Sequence, residues 1–488
     1  MSVTRSSAYL VAANLLTFLI QLVAIRFFVQ WIGESDYGAV VLVTTVSTYV
    51  ALFSPSSITA AQLLITQALK KGEDDFARAV NRTQATMNFA ILGGIALVFV
   101  GLAALYEVPQ KDFDRPTVAL MFAAAFVSQA ISLVNQNLVP VLSALGHFRT
   151  LAIRLSLDKL VGAVTGLAFA YIYRSPVAVL WGTAIGNFAG LAVNFLTVAK
   201  VAPEFRFAPG WNRNAFGEIR NLLFHGHPHR VLSGIGNSVD RLLFPFWGLP
   251  LASLTHYSLA SRVPETLQLI LGPITEPVVP ELTRHAVDDP PRFAAALDRY
   301  GRTAMGVGAA IILPVCGAAS PLMKLWLGFV PPGGAIVAMG VGFYFAVQLY
   351  MTMMSRAFFS TGKLLFAAVF TGFNSLLALV LTIGAVRTFG IAGLGALKAG
   401  IAACQFVPYA FFVRRHAAPQ FAASAHAAAC VGMVASGVLA MLGLAMIPGW
   451  PALVAAAPVG AALLAIYARA GWMTPPEAFR RRLGFLLR

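Results

Sequence analysis

Ten charged residues stand inside otherwise apolar stretches: Arg26, Asp158, Lys159, Arg230, Asp240, Arg241, Arg262, Glu265, Glu276 and Lys398. A charge at mid-bilayer costs about 2.5–3.5 kcal/mol on insertion scales, so such side chains face protein or a wet cavity. Six of the ten crowd between residues 223 and 283. There Arg230, Ser233, Asn237 and Asp240-Arg241 recur at intervals of three to four, which is one stripe of a helix. The next apolar run adds His256, Arg262, Glu265 and Glu276, with Pro264, Pro273, Pro277 and Pro280. An interior proline removes an N–H and bends its helix. Pro264 and Pro273 are therefore candidate hinges, as is Pro55 in the second run.

The sign of the set suggests its chemistry. Six of the ten are cationic, and five of these, Arg26, Arg230, Arg241, Arg262 and Lys398, stand on the expected spans 1, 7, 8 and 12. A guanidinium pairs with phosphate through a planar fork, so a cavity lined by them suits a pyrophosphate or phospho-sugar. Gln21 and Asn237 are candidate hydrogen-bonding neighbours in that cavity. Asp240, Glu265 and Glu276 are candidate sites for a coupling H+ or Na+. The alternative is internal pairing, for example Asp158 with Lys159 or with another span. His225, His227 and His229 are separated by single residues, but no cysteine or carboxylate stands near them, so no metal site is expected. No Walker loop, dinucleotide-binding glycine run or Ser-His-Asp signature is present. Neither a catalytic site nor a cofactor is expected, and uphill work would draw on an ion or solute gradient.

These residues must be held by membrane helices. Of the 488 residues 58% are hydrophobic and 11% are charged; soluble domains carry about 25%. Runs of about 20 apolar residues suffice to cross a bilayer. Fourteen are placed near 8–31, 38–68, 85–106, 117–144, 152–173, 176–199, 223–247, 252–283, 303–326, 333–358, 364–388, 390–413, 426–447 and 450–470. The second and eighth are too long for one straight span and should kink or project. The loop at 284–302 reads as a short amphipathic helix on the membrane surface. Cys316, Cys404 and Cys430 lie in apolar runs without metal or redox spacing. The net charge of +16 reflects loop orientation rather than nucleic acid. With the N-terminus inside, inner segments hold 24 basic residues and outer loops five, as the positive-inside rule requires. The sequon Asn81-Arg82-Thr83 falls on the inner side.

The chain also repeats itself. Phe76-Ala-Arg-Ala-Val-Asn-Arg82 returns 217 positions later as Phe293-Ala-Ala-Ala-Leu-Asp-Arg299. The turn at Gly146-His-Phe returns 216 positions later at Gly362-Lys-Leu. Spans 1–6 and 7–12 therefore read as two copies of one orientation, a parallel repeat. The expected architecture is an all-α polytopic membrane protein. Residues 1–199 form an N-lobe, 200–222 a cytoplasmic linker and 223–415 a C-lobe, the lobes related by a parallel pseudo-two-fold. Residues 416–488 add helices 13–14 and a basic tail.

Several stretches resemble polysaccharide flippases of the multidrug, oligosaccharidyl-lipid and polysaccharide exporter superfamily. They are Trp31-Ile-Gly-Glu-Ser-Asp-Tyr37-Gly38, Asp240-Arg241 with Tyr257-Ser-Leu-Ala-Ser-Arg262 and Pro280-Glu-Leu-Thr-Arg284, Thr361-Gly362-Lys363, and Phe389-Gly390-Ile-Ala-Gly393. The resemblance runs from residue 5 to about 415. It implies two six-helix lobes around a central cavity, with Arg26, Arg241 and Arg262 as cavity cations. It also implies flipping of polyprenyl-pyrophosphate-linked oligosaccharide across a bacterial inner membrane by alternating access. Expected partners are that substrate, membrane lipids and a polysaccharide polymerase or glycosyltransferases. An ion-coupled multidrug or metabolite antiporter of the same superfamily is the alternative.

Overall fold

The computed structural model describes residues 3–53, 58–105, 113–205, 208–244, 248–272 and 278–473. Every regular element among them is helical. In order these are α1 (Val3–Ile32), α2 (Glu34–Phe53), α3 (Ile58–Lys71), α4 (Asp74–Leu105), α5 (Arg115–Ala144), α6 (Phe148–Tyr173), α7 (Pro176–Val201), α8 (Arg213–Leu243) and α9 (Leu251–Leu271). There follow α10 (Val278–Asp288), α11 (Pro290–Val307), α12 (Leu313–Gly317), α13 (Ala319–Leu327), α14 (Gly334–Ser360), α15 (Leu364–His416), α16 (Ala423–Met446) and α17 (Trp450–Arg469). Caps stop and start these helices where the chemistry requires. Asp114, Ser175, Asn212 and Asp289 each accept a backbone N–H at a helix start. That satisfies donors the helix leaves free.

Among the described residues eleven helices are long and apolar enough to cross a membrane, and a pair bent by 60° at Gly317–Ala319 makes a twelfth. α15 supplies two of them, broken at Gly390 with φ +58°. The expected fourteen are thus not reached among the described residues; the two missing are expected spans 7 and 8, where the chain forms α8 and, for the latter, α9 and the start of α10. α8 and α9 are helical but carry Arg230, Asp240, Arg241, Arg262 and Glu265 among other polar residues, which lowers their hydropathy. Span 2 is divided into α2 and α3. The segment expected on the membrane surface takes a different place. It ends α10 and opens α11, and Phe293, Ala294, Ala296 and Leu297 are buried in a core with Leu282, Val347 and Phe421. α11 is thus the opening part of a long apolar helix, since its apolar stripe meets protein rather than headgroups.

The chain divides into two units, Met1–Thr255 and His256–Arg488. In the first, the C-terminal parts of α3, α5 and α7 and the N-terminal parts of α4 and α8 enclose Ile65, Val80, Leu138, Val141, Val198 and Ile219. The segment after α7 is fastened to α4. Asn81 Nδ2 donates to Phe205 O (3.4 Å), Thr86 Oγ1 to Gly210 O (2.9 Å), and Asn212 N to Thr83 Oγ1 (3.1 Å). Asn81 is 1% exposed, which takes the sequon out of reach. The starts of α2 and α9 are clamped together by Thr255 Oγ1, which donates to Glu34 O at 2.6 Å. A methyl group at Gly38 would fall 2.2 Å from Leu251 O.

In the second unit α11 passes through a π-helical turn at Gly308–Ile312, just before Pro314. π turns often mark adapted helices. Here α16 and α17 press on it, for methyl groups at Gly437 and Gly460 would meet Ala309 O at 2.8 Å and Ala310 O at 2.4 Å.

Local structure repeats at the offset seen in sequence. His147 N bonds to Leu142 O (2.8 Å) across Gly146 at φ +77°, and Lys363 N bonds to Phe358 O (2.9 Å) across Gly362 at φ +71°. Both are six-to-one helix stops that favour glycine. A third match, Ala202-Pro-Glu-Phe205 with Ala418-Pro-Gln-Phe421, stands 216 positions apart. In each, the phenylalanine N–H bonds back to the alanine carbonyl, at 3.0 and 2.9 Å, and its ring is buried.

Candidate functional site

The first unit contains a buried charged network that begins with glycine spacing. Gly162 and Gly166 on α6 face Gly182, Gly186 and Gly190 on α7, all one helical turn apart. Small residues at that spacing let membrane helices touch backbone to backbone. A methyl group at Gly182 would fall 2.3 Å from Gly166 Cα, and one at Gly186 would fall 2.2 Å from Asp158 O. At Gly190 the space is filled by a side chain, since a methyl group there would overlap Asp158 Oδ1.

Asp158, 4% exposed, is paired with Arg154 one turn earlier, Nη2 to Oδ2 at 2.9 Å. The Asn135 amide, with its oxygen toward Arg154, accepts from Nη2 at 2.7 Å and Nε at 3.0 Å, and its other edge meets the Asn194 amide at 2.6 Å. Three helices thus bring one guanidinium, one carboxylate and two amides together. Asp158 Oδ1 and the outer corner of the Asn194 amide have no hydrogen-bond partner among the described residues. Leaving a buried polar atom unsatisfied costs about 1–3 kcal/mol, more for a charged group. Of this network the sequence reading marked Asp158 alone. Arg154 sat at an expected span boundary and counted as a loop charge, although its four-residue spacing from Asp158 is a helix-pair signal.

The cavity residues expected from sequence lie as follows. Gln21 is half-buried and Arg26 exposed on α1. Arg230 and Asn237 belong to α8, which packs on α2 so closely that a methyl group at Gly234 would fall 2.3 Å from Leu52 Cδ1. Further along α8, Asp240 is buried and its Oδ1 accepts the Arg241 N–H at 3.0 Å; Arg241 is half-buried. In the second unit Arg262 and Glu265 are half-buried one turn apart on α9, with Pro264 inside that helix. Lys398 on α15 places Nζ 5.3 Å from the centre of the Tyr344 ring, a cation–π contact. Ala399, next to it, lines an apolar groove of about 390 Å³ with Met339, Phe343, Ala403, Val438 and Met441. Pro55, Pro273 and Glu276 lie outside the described residues.

A second buried cluster fastens α16 to α11. His426 Nδ1 is 2.8 Å from Asp298 Oδ1, and Arg302 Nε reaches the same oxygen at 2.9 Å. The carboxylate accepts, so the imidazole proton is on Nδ1, and Nε2 faces the Cys430 thiol at 3.5 Å. Tyr350 stacks on the imidazole at 5.6 Å. The order of groups is that of a cysteine protease triad, but Cys430 is 0% exposed, out of reach of a substrate. The cluster is a fastening. His426→Ala will cost about 1.5–3 kcal/mol, the worth of a hydrogen bond to a charged group, read as a lower melting temperature of the purified protein. No group of three or more metal-ligating side chains occurs among the described residues.

Comparison with solved structures gives the class. The fold matches an inward-facing multidrug resistance MATE transporter of the MOP superfamily with TM-score 0.68 at 13% identity, over 82% of this chain and 95% of that one. It matches the lipid II flippase MurJ in an inward closed conformation with TM-score 0.68 at 11% identity, over 96% and 99%. A MATE transporter of Vibrio cholerae matches with TM-score 0.55 at 15% identity, over 85% and 96%. The chain therefore shares the fold of these proteins, and its eleven to twelve long apolar helices among the described residues are those of a multi-pass membrane protein. A sequence profile described as polysaccharide biosynthesis protein matches residues 28–329, and the chain belongs to that family. No curated protein sequence matches it.

Proposed function

We propose that the protein moves a polyprenyl-pyrophosphate-linked oligosaccharide across the bacterial inner membrane, from the cytoplasmic to the periplasmic leaflet, by alternating access. The observation that supports the reading is the surplus of cations on helices of a family tied to polysaccharide synthesis: Arg26, Arg230, Arg241, Arg262 and Lys398. In this reading they hold the pyrophosphate, Gln21 and Asn237 contact the head group, and the prenyl chain stays in lipid. Asp240, Glu265 and Glu276 are the candidate H+ or Na+ sites, and Pro55, Pro264 and Pro273 the hinges. Both termini face the cytoplasm, in keeping with the 24-to-5 distribution of basic residues. No covalent change is made to the solute. Its suppliers and users are glycosyltransferases and a polysaccharide polymerase.

The test is the leaflet distribution of lipid-linked saccharide in cells depleted of the protein. Accumulation on the cytoplasmic face, reversed by the wild-type chain, is the expected result. An unchanged lipid pool together with new sensitivity to small toxic solutes would replace this reading with the multidrug or metabolite antiporter.

A further inference from the structure

The Arg154–Asp158 pair is built unlike a structural ion pair. In a pair that only holds helices the charged atoms are as a rule all satisfied, and Arg154 is well held on one edge by Asp158 and Asn135. Asp158, by contrast, spends one oxygen on Arg154 and leaves Oδ1 without a partner among the described residues, in a space that exists because residue 190 is glycine. The carboxylate is thus shaped for two occupancies, ionised against Arg154 or protonated on Oδ1. Arg154 is 22% exposed at its side chain while Asp158 is 3%, so the guanidinium has an outlet that the carboxylate lacks.

We propose that Asp158 is a proton-binding site and that Arg154 is exchanged between Asp158 and an anionic group of the transported solute. The exchange rests on the anionic solute proposed above. When a phosphate draws Arg154 outward, the buried carboxylate loses its counter-charge and takes up one proton at Oδ1. When the phosphate leaves, Arg154 returns and the proton departs. No bond other than this O–H is made or broken. The charged groups bearing on Asp158 are Arg154 and Lys159 of its own helix. α5 and α7 face it with Asn135, Asn194 and glycine; the titratable residue of α5, Arg115, is at its far end, while Lys200 of α7 is ten residues past Gly190 at the near end and is exposed. α1 packs on α6 through Phe28 against Gly166 and carries Arg26, which is exposed. Arg154 is therefore the cation in direct contact with Asp158, and Lys159 adds a weaker field from the same helix.

Two linked sites must affect one another equally, which defines the experiment. The full chain in nanodiscs is titrated between about pH 5 and pH 8, across the ordinary and raised carboxylate range, by infrared spectroscopy. The carbonyl stretch of a protonated carboxylic acid is followed with and without inorganic pyrophosphate. The expected result is a band lost in Asp158→Asn, whose proton affinity rises about tenfold when pyrophosphate is present. In Arg154→Gln that band persists throughout and no longer responds to pyrophosphate. If Asp158→Asn does not fold, carbon-13 labelling of the aspartate carboxyls of the wild-type chain identifies the pyrophosphate-sensitive band as aspartate, and Arg154→Gln decides its partner. An Asp158 band absent over the whole range, or one indifferent to pyrophosphate that binds, overturns the proposal. Calorimetry that finds no pyrophosphate binding at all removes the anionic-solute reading and the exchange with it, while the band still decides whether Asp158 takes a proton.

Discussion

Gly186→Leu will strip cells of folded protein, whereas Gly443→Leu on α16 will leave its amount and melting temperature close to wild type. Gly186 sits in the middle of α7 and Gly443 in the last turn of α16, both apolar helices, so the substitutions are alike in hydropathy. They differ in what a side chain meets. At Gly186 even a methyl group would fall 2.2 Å from Asp158 O and 2.7 Å from Gly162 Cα and N, all of them backbone atoms. Backbone of one helix cannot swing aside as a side chain can, so α6 and α7 must separate. Overpacking a well-packed site costs about 3 kcal/mol or more at its severe end, a large share of the roughly 5–15 kcal/mol that holds a domain. Separation would also part Arg154 and Asp158 from Asn135 and Asn194. At Gly443 nothing lies within 4 Å, and the new side chain faces open space. Size-exclusion profiles of tagged variants in mild detergent read the difference. Equal recovery of the two would mean that the α6–α7 contact is looser than backbone packing implies.

The same contrast explains what the sequence discloses and what it hides. Long apolar helices announce themselves, because a bilayer demands about 20 residues of one character. α8 and α9 are legible as helices and as the charge-bearing elements for one reason, since their polar residues recur at helical spacing. The repeat is legible where turns demand glycine, at Gly146 and Gly362. It is also written in the buried Ala-Pro-x-Phe turns, where a short apolar match is easily lost among many alanines. What stays hidden depends on partners remote in sequence. Asp158 reads as a lone intramembrane acid. Its pairing with Arg154 is local, but Asn135 and Asn194 join through two other helices, and the room for Oδ1 comes from a missing Cβ at Gly190. His426 is the same case. It opens an apolar helix without a nearby charge, and its partner Asp298 lies 128 positions away. The opening part of α11 looks like a surface helix in sequence because an amphipathic stripe reports burial of one face without saying what buries it.

On the function proposed above, Arg241→Ala and Arg262→Ala will each lower export of lipid-linked saccharide by roughly 10- to 100-fold, with the protein still present in normal amount. The magnitude is that of removing one charge-assisted hydrogen-bonding group, about 1.5–3 kcal/mol. Both residues are half-buried on helices that carry charge where lipid-facing helices do not. Half-burial matters to the argument. A fully buried arginine removed from an internal pair would unfold the protein, leaving an uncompensated charge. A fully exposed one would change little. The position of Arg241 next to buried Asp240, whose carboxylate accepts the Arg241 backbone N–H, means that truncating the side chain leaves that backbone bond in place. Arg241→Lys and Arg262→Lys separate two versions of the claim. Lysine keeps the charge and loses the planar fork, so a site that needs two-point contact with phosphate will remain impaired, while one that needs only positive charge will recover. Export is measured as surface polysaccharide per cell, with the abundance of each variant measured in the same membranes. Full export by both alanine variants would remove these two arginines from the solute's path. It would leave the family and the fold untouched and direct attention to the Arg154 network as the cationic contact in this chain.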